Sequence, residues 1–277
     1  TMNYRRAKLD ERKKQAIQKI VDEEIRKFTD SFEARYTKEV DNPDGVINSK
    51  INNCFVAELG KEFMFYSAFV RSFDSSFGKV LEAMGNKIAE LSYDVRKDVN
   101  SFLLPQQSQH MDYIILEYEK HRKPKTSDYS EFFCMIPEDT RSFEKNHVTD
   151  HYFYNAQKNE HYLIELKASG DLDNKKAKSE KLAMLQEYFI LKNSLRDKPN
   201  DKINLYLATA YNKYGEDSEW KQERVKQFFA EDELLIGRDY WNFVCDDLEG
   251  FDIVFEQYQR SAVYIKEALE RIKELYF

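Results

Sequence analysis

The run Tyr162-Leu163-Ile164-Glu165-Leu166-Lys167-Ala168 constrains this chain more than any other segment. It is apolar and short, which reads as a strand, and strand residues two apart share a face. Glu165 and Lys167 therefore point together, beside Leu163. Tyr162, Ile164, Leu166 and Ala168 point the other way, into a core. Two opposite charges on one face of a largely buried strand need a reason, because desolvating each ion costs several kcal/mol.

A partner is available on the preceding strand. "HVTDHYFYN" and "HYLIELKA", joined by the polar "AQKNE", read as a β-hairpin. Asp150 stands fifteen residues before Glu165, and the turn between them can bring the two together. The result is two carboxylates and an ammonium at one point of a sheet. Two hard anionic ligands with open coordination positions suit Mg²⁺, which keeps several waters and binds phosphate oxygens. A lysine beside them can hold a water or stabilise charge on a reacting phosphate. The implied chemistry is metal-assisted phosphodiester hydrolysis. A plain cross-strand ion pair would give the same triplet. The apolar flanks, the hairpin spacing and the segment that follows favour the chemical reading.

That segment is "SGDLDNKKAKSEK". Gly170 permits an abrupt exit from the strand, and Asp171 or Asp173 can cap the next helix. Asn174, Lys175, Lys176 and Lys178 then crowd the helix start. Donors there suit phosphate, and Asn and Lys can also read base edges. A merely solvated first turn is the competing reading for any one of them.

Around this centre the texture changes twice. Residues 6–36 carry a helical stripe of Ile17, Ile20, Val21, Ile25, Phe28 and Phe32. Helices are also expected from about Asn52 to Val70, and again after "RSFDSSFG" with the seam Phe77, Leu81, Met84, Ile88, Leu91, Val95. "HMDYIILEY", "SEFFCMIP", "KINLYLATAYN" and "RDYWNFVCDD" look strand-like, a helix spans roughly Lys175–Leu195, and a C-terminal helix carries Val263, Ile265, Leu269, Ile272 and Leu275. The expectation is an α/β (α+β mixed) fold with a central mixed sheet flanked by helices. Residues 1–100 would form a helical region packed on a core of 101–277, the whole making one compact unit.

The net charge of −7 argues mildly against nucleic acid, but charge acts locally. From Lys167 to Lys202 there are nine Lys/Arg against six Asp/Glu. Cys54, Cys134 and Cys245 show neither zinc spacing nor a disulfide framework and read as reduced thiols. No apolar stretch is long enough to cross a bilayer, and the charged N-terminal stretch does not read as a secretory signal. The five histidines show no ligand spacing as a set. His151 adjoins Asp150 but faces away, which suits a structural role. Trp220 and Trp241 read as core.

D150-x14-E165-L-K167 resembles the PD-(D/E)xK nuclease superfamily, with a restriction-endonuclease-like core. The longer "YLIELKASGDLDNKKAKSEKLAMLQEYFIL" resembles the TdeIII-like family of type II restriction endonucleases, as do "RSFDSSFGKVLEAMGNKIAE" and, more generally, "LLIGRDYWNFV". The resemblance spans roughly residues 50–260. It implies Asp150 and Glu165 as Mg²⁺ ligands, the Leu166 carbonyl as a further one, and Lys167 as the catalytic lysine. It also suggests Glu82 as a helical acidic residue assisting the metal, and Asp173, Asn174, Lys175, Lys176 and Lys178 as DNA-binding. Thr149 replaces the superfamily's proline, so Glu144 and Asp139 stay open as alternatives to Asp150.

The implied function is a Mg²⁺-dependent double-strand DNA endonuclease of the prokaryotic cytoplasm, with a GGNCC-type palindrome as its site. A cognate DNA methyltransferase would act on the same sequence without binding the enzyme. Cutting both strands of a palindrome implies a homodimer, with the N- and C-terminal helical stripes as candidate interfaces. A monomeric repair or nicking nuclease and a non-enzymatic helical interaction module are the alternatives.

Overall fold

The computed structural model describes residues 10–168 and 171–277, so Gly170, expected to release the strand, lies outside the described residues. In chain order the helices and strands are α1 (Glu11–Glu39), α2 (Cys54–Ala57), α3 (Lys61–Ala89), β1 (Asp94–Phe102), α4 (Pro105–Glu119), α5 (Ser127–Ser130), β2 (Glu144–Asn155) and β3 (Glu160–Lys167). They continue with α6 (Asn174–Ser194), β4 (Lys202–Thr209), α7 (Glu223–Lys226), β5 (Leu234–Ile236), α8 (Arg238–Cys245) and α9 (Gly250–Tyr276).

The chain divides into two units: residues through Ile88 with Asp252–Phe277, and Ala89–Phe251. The sequence put the C-terminal helix with the sheet and set the boundary near residue 100. By contacts, most of α9 instead groups with the N-terminal helices. In that first unit the stripe of α1 is largely buried. Ile17, Val21, Ile25, Phe28 and Phe32 are buried, and Phe28, Phe32 and Tyr36 share a core with Phe65, Phe69 and Ile272. α3 is a single helix running through Gly78, not two segments.

The second unit is built on a five-stranded sheet in the order β1-β2-β3-β4-β5. β1–β2 and β2–β3 are antiparallel, and β3–β4 and β4–β5 are parallel. Both faces are covered. Leu163, Leu205, Leu207 and Tyr152 pack with Met184, Leu185 and Tyr188 of α6. On the other side Phe243 of α8 meets Tyr162 at 5.0 Å between ring centroids, and Tyr93 stacks on Phe153 at 5.5 Å. Two buried faces explain why β3 reads as a nearly continuous apolar run.

Four sequence readings are corrected. "HMDYIILEY" belongs to α4: Met111, Ile114, Ile115 and Tyr118 are its buried positions, a helical period, and Pro105 opens it with a preset φ. "SEFFCMIP" forms no strand: Ser130 closes α5, residues 132–137 take no regular structure, and Phe133 and Met135 are exposed. "RDYWNFVCDD" is α8, entered through Gly237 at φ +52°, where a Cβ would lie 2.8 Å from the Asn212 amide nitrogen. Val95, placed in a helical seam, belongs to β1. The expected hairpin is present as β2–β3, and Trp220 and Trp241 are buried.

Candidate active site

Asp150 projects from a break in the sheet. Arg96 pairs with Tyr152 and Asp98 with Val148, so Lys97 alone faces Thr149, Asp150 and His151. On the other side the β2–β3 pairing begins at His151–Ile164. The same register extended by one residue sets Asp150 opposite Glu165. There the Leu166 N–H donates to the Asp150 side chain, at 3.0 Å from Oδ2. Such bulges re-aim a side chain and end a ladder. The irregularity thus turns the Asp150 carboxylate onto the Leu166 peptide.

β3 continues past this point beside β4, with Glu165 opposite Leu207 and Lys167 opposite Thr209. As their shared parity requires, Glu165 and Lys167 meet, with Nζ 2.6 Å from Glu165 Oε1. A third carboxylate completes the group: Glu180 of α6 lies 3.0 Å from Lys167 Nζ. Burial, then the charge of Asp150, pushes the Glu165 carboxyl up to about 8, Glu180 adding to the effect and Lys167 opposing it. Burial works against charge on Lys167, but Glu165 and Glu180 hold its pKa above the usual lysine value. The two partners differ because the lysine has a second acceptor. Near neutral pH the ammonium is shared by two carboxylates, and the one at Glu165 readily takes a proton.

One helical heptad further along α6, Glu187 is buried and accepts from His147 Nδ1 of β2 at 2.9 Å. The hydrogen bond to Glu187 raises the His147 pKa against its burial. Burial raises Glu187, with Asp150 and Glu180 contributing. The sequence reading missed Glu180, Glu187 and His147. Glu180 and Glu187 sit seven apart on the helix following the strand, which puts them on one face. That spacing was the available signal.

The remaining expected residues are dispersed. Asp173, not Asp171, caps α6, accepting from Lys176 N at 2.8 Å. Asp171 pairs with Lys213 at 3.0 Å. Asn174, Lys175 and Lys176 are exposed, and Lys178 is engaged with Glu119 at 2.7 Å. Glu82 lies on α3 in the first unit, while Asp150, Glu165 and Lys167 all lie in the second. The alternatives to Asp150 lie elsewhere in their unit: Glu144 opens β2 opposite Phe102, and Asp139 is exposed and held by Arg141. His151 turns away from Asp150, as expected, onto Tyr240 at 2.8 Å. Complete burial drives its pKa down to about 3.

Among the described residues no group of three or more His, Cys, Asp and Glu is arranged to hold a metal ion. Mg²⁺ does not need such a cage, since it takes one or two carboxylates and fills its octahedron with water and phosphate. Asp150 and Glu165 fit that pattern. Glu165 is raised first by burial and then by the charge of Asp150, and a divalent cation between the two carboxylates would relieve that repulsion.

No described helix is long and apolar enough to cross a membrane. No curated protein and no solved structure matches the chain. A family model described as type II restriction endonuclease, HinfI, matches residues 13–262.

Proposed function

The chain belongs to the HinfI family of type II restriction endonucleases, and from that premise we propose that Asp150, Glu165 and Lys167 hydrolyse phosphodiester bonds of double-stranded DNA with Mg²⁺. Family membership makes the protein a type II site-specific deoxyribonuclease, and the alternative of a non-enzymatic interaction module falls with it. The observation that carries the site is the break at Asp150, which delivers its carboxylate to the Leu166 peptide beside the Glu165–Lys167 pair.

Asp150 and Glu165 would hold Mg²⁺, with the Leu166 carbonyl as a further donor. The ion, when bound, supplies Lewis-acid activation and neutralises charge on the phosphate. Lys167 stays protonated through its two carboxylate neighbours, so it donates to the phosphate rather than abstracting a proton. Glu180 positions that lysine. Sharing the ammonium with Glu180 means that Lys167 keeps an anchor when Glu165 turns to a cation.

The finer reading rests on the resemblance. It includes the PD-(D/E)xK superfamily and its TdeIII-like branch, a GGNCC-type palindrome, and Glu82 as an accessory acid. Asp173, Asn174, Lys175, Lys176 and Lys178 would contact DNA. The enzyme would work as a homodimer in the prokaryotic cytoplasm, beside an unbound methyltransferase of the same specificity.

Incubating the protein with plasmid DNA and Mg²⁺ and mapping the ends tests the proposal. Discrete fragments with fixed termini are expected. Lys167→Ala should keep the fold and DNA binding but slow cleavage roughly 10²–10³-fold, the usual effect of losing one transition-state donor. Wild-type cleavage by Lys167→Ala would refute the assignment.

A further inference from the structure

Beside the N-terminus of α6 lies a cavity of about 340 Å³, walled by the α4–α5 loop on one side and α7 on the other. Arg122 and Lys123 come from the loop, Arg224 and Lys226 from α7, and Asn174 from the helix start; Glu223 is the one carboxylate among the lining residues. Four cations against one anion stand out in a chain of net charge −7. We infer that this groove is a DNA-backbone site, taking phosphates of the duplex away from the reacting one.

The groove is built rather than incidental. Tyr118 donates to Asp128 Oδ2 at 2.8 Å and Arg122 Nη1 donates to Asp128 Oδ1 at 2.8 Å, which fixes the loop. Gln227 donates to the Tyr118 carbonyl at 3.1 Å, which ties α7 to the end of α4. Arg122 is committed to Asp128 and so belongs to the wall, while the other cations are weakly spoken for. Lys123 meets Glu231 only at 3.8 Å, with both side chains more than three-quarters exposed. Lys226, 29% exposed, meets the exposed Glu223 at 3.5 Å and the exposed Glu219 at 3.9 Å. Exposed pairs of this kind contribute little and yield to a polyanion. Arg224 is exposed with no ion-pair partner among the described residues.

Position along α6 relates the two sites. Asn174 and Glu180 are six residues apart, or about 9 Å of helix rise. The groove and the acidic group are thus linked through one helix, and the groove takes phosphates other than the one that Lys167 meets. The inference rests on reading the chain as a DNA endonuclease with its reacting phosphate at Lys167.

The test is the salt dependence of binding to a duplex without added Mg²⁺, read by fluorescence anisotropy on the full chain. Arg224→Ala/Lys226→Ala should lower the slope of log K against log salt by about two. Between about 50 and 200 mM salt the double variant then loses about twelve-fold less affinity than wild type. Lys158→Ala/Lys202→Ala serves as the control, because both residues are exposed at the hairpin turn and the start of β4, away from the strand ends that carry the acidic group. Its slope should match wild type. An unchanged slope in the groove variant, or an equal fall in the control, would overturn the inference. Binding of inorganic phosphate that Arg224→Ala removes, with the DNA slope unchanged, would overturn it too, in favour of a small-anion site. Cleavage of plasmid DNA by the same preparations reports separately on the proposed function, so the two failures are distinguishable.

Discussion

Asp150 and His151 are neighbours in sequence and end in opposite environments, one on the acidic group and one wholly buried against Tyr240. His151 carries a pH signature. Its folded pKa is about 3 against an ordinary 6.5, so the unfolded chain binds a proton that the folded chain refuses. Stability contributed by keeping it neutral is whole above about 6.5 and is lost as pH falls toward about 3, at up to about 1.4 kcal/mol per pH unit. Denaturant titrations of wild type and His151→Phe should differ in slope over that window, and parallel curves would refute it. Glu165 has the reverse sign. Its raised pKa means that deprotonation disfavours the fold as pH climbs from about 4.5 through about 8. With metal chelated, Glu165→Gln should be the more stable protein at the alkaline end, by on the order of 1 kcal/mol. Adding Mg²⁺ should raise the melting temperature of wild type and leave Glu165→Gln unmoved; an equal rise in both would remove Glu165 from the metal site.

Elements are held together by polar contacts as well as by core. Lys181 of α6 is fully buried and paired with the buried Glu233, which precedes β5. Tyr129 of α5 donates to the same Glu233 at 2.8 Å, and the Lys181 ammonium lies 5.0 Å from the Tyr129 ring. This network joins α6, α5 and the approach to β5 one residue from Glu180. Lys181→Met should cost roughly 3–5 kcal/mol because it strands a buried carboxylate. Lys181→Met/Glu233→Leu should recover much of that loss. Equilibrium unfolding of the single and double variants measures the difference, and simple additivity would show that the pair is not coupled. The α4 segment teaches a related lesson. Ile114 and Ile115 suggest a strand locally, while burial at Met111, Ile114, Ile115 and Tyr118 makes the segment helical, because tertiary packing outweighs a weak propensity.

For the whole molecule, symmetry sets the remaining expectation. A palindromic cut presents two equivalent phosphates, and two subunits per site is the simplest solution. Of the stripes that could form that interface, Ile17, Val21, Ile25 and Phe28 of α1 and Ile272 of α9 are buried, while Val263 and Leu275 of α9 are exposed. Val263 and Leu275 remain open to a partner, so charge reversal at the exposed Lys19, on the far side of the α1 stripe, should leave assembly intact. Sedimentation of the specific DNA complex should give two subunits per palindrome. One subunit per site with single-strand nicks would support the monomeric nuclease instead.

By itself the sequence determined the hairpin, the shared face of Glu165 and Lys167 and the helix after Asp173, because strand parity and capping are local quantities; the restriction-endonuclease class came from its resemblance to a known family. Only the tertiary structure decided how Asp150 reaches the site, since its delivery depends on a pairing irregularity against β1, a strand whose start the sequence had read as helix. Only packing could bring Glu180 and Glu187 to that point, because they arrive on α6, which packs over the sheet through Leu163, Leu205 and Met184, and meet Lys167 and His147 there. The assignment of most of α9 to the N-terminal helices is non-local in the same way. Aromatic complementarity between Tyr36 and Tyr276, 240 residues apart, leaves no trace in the periodicity of either helix.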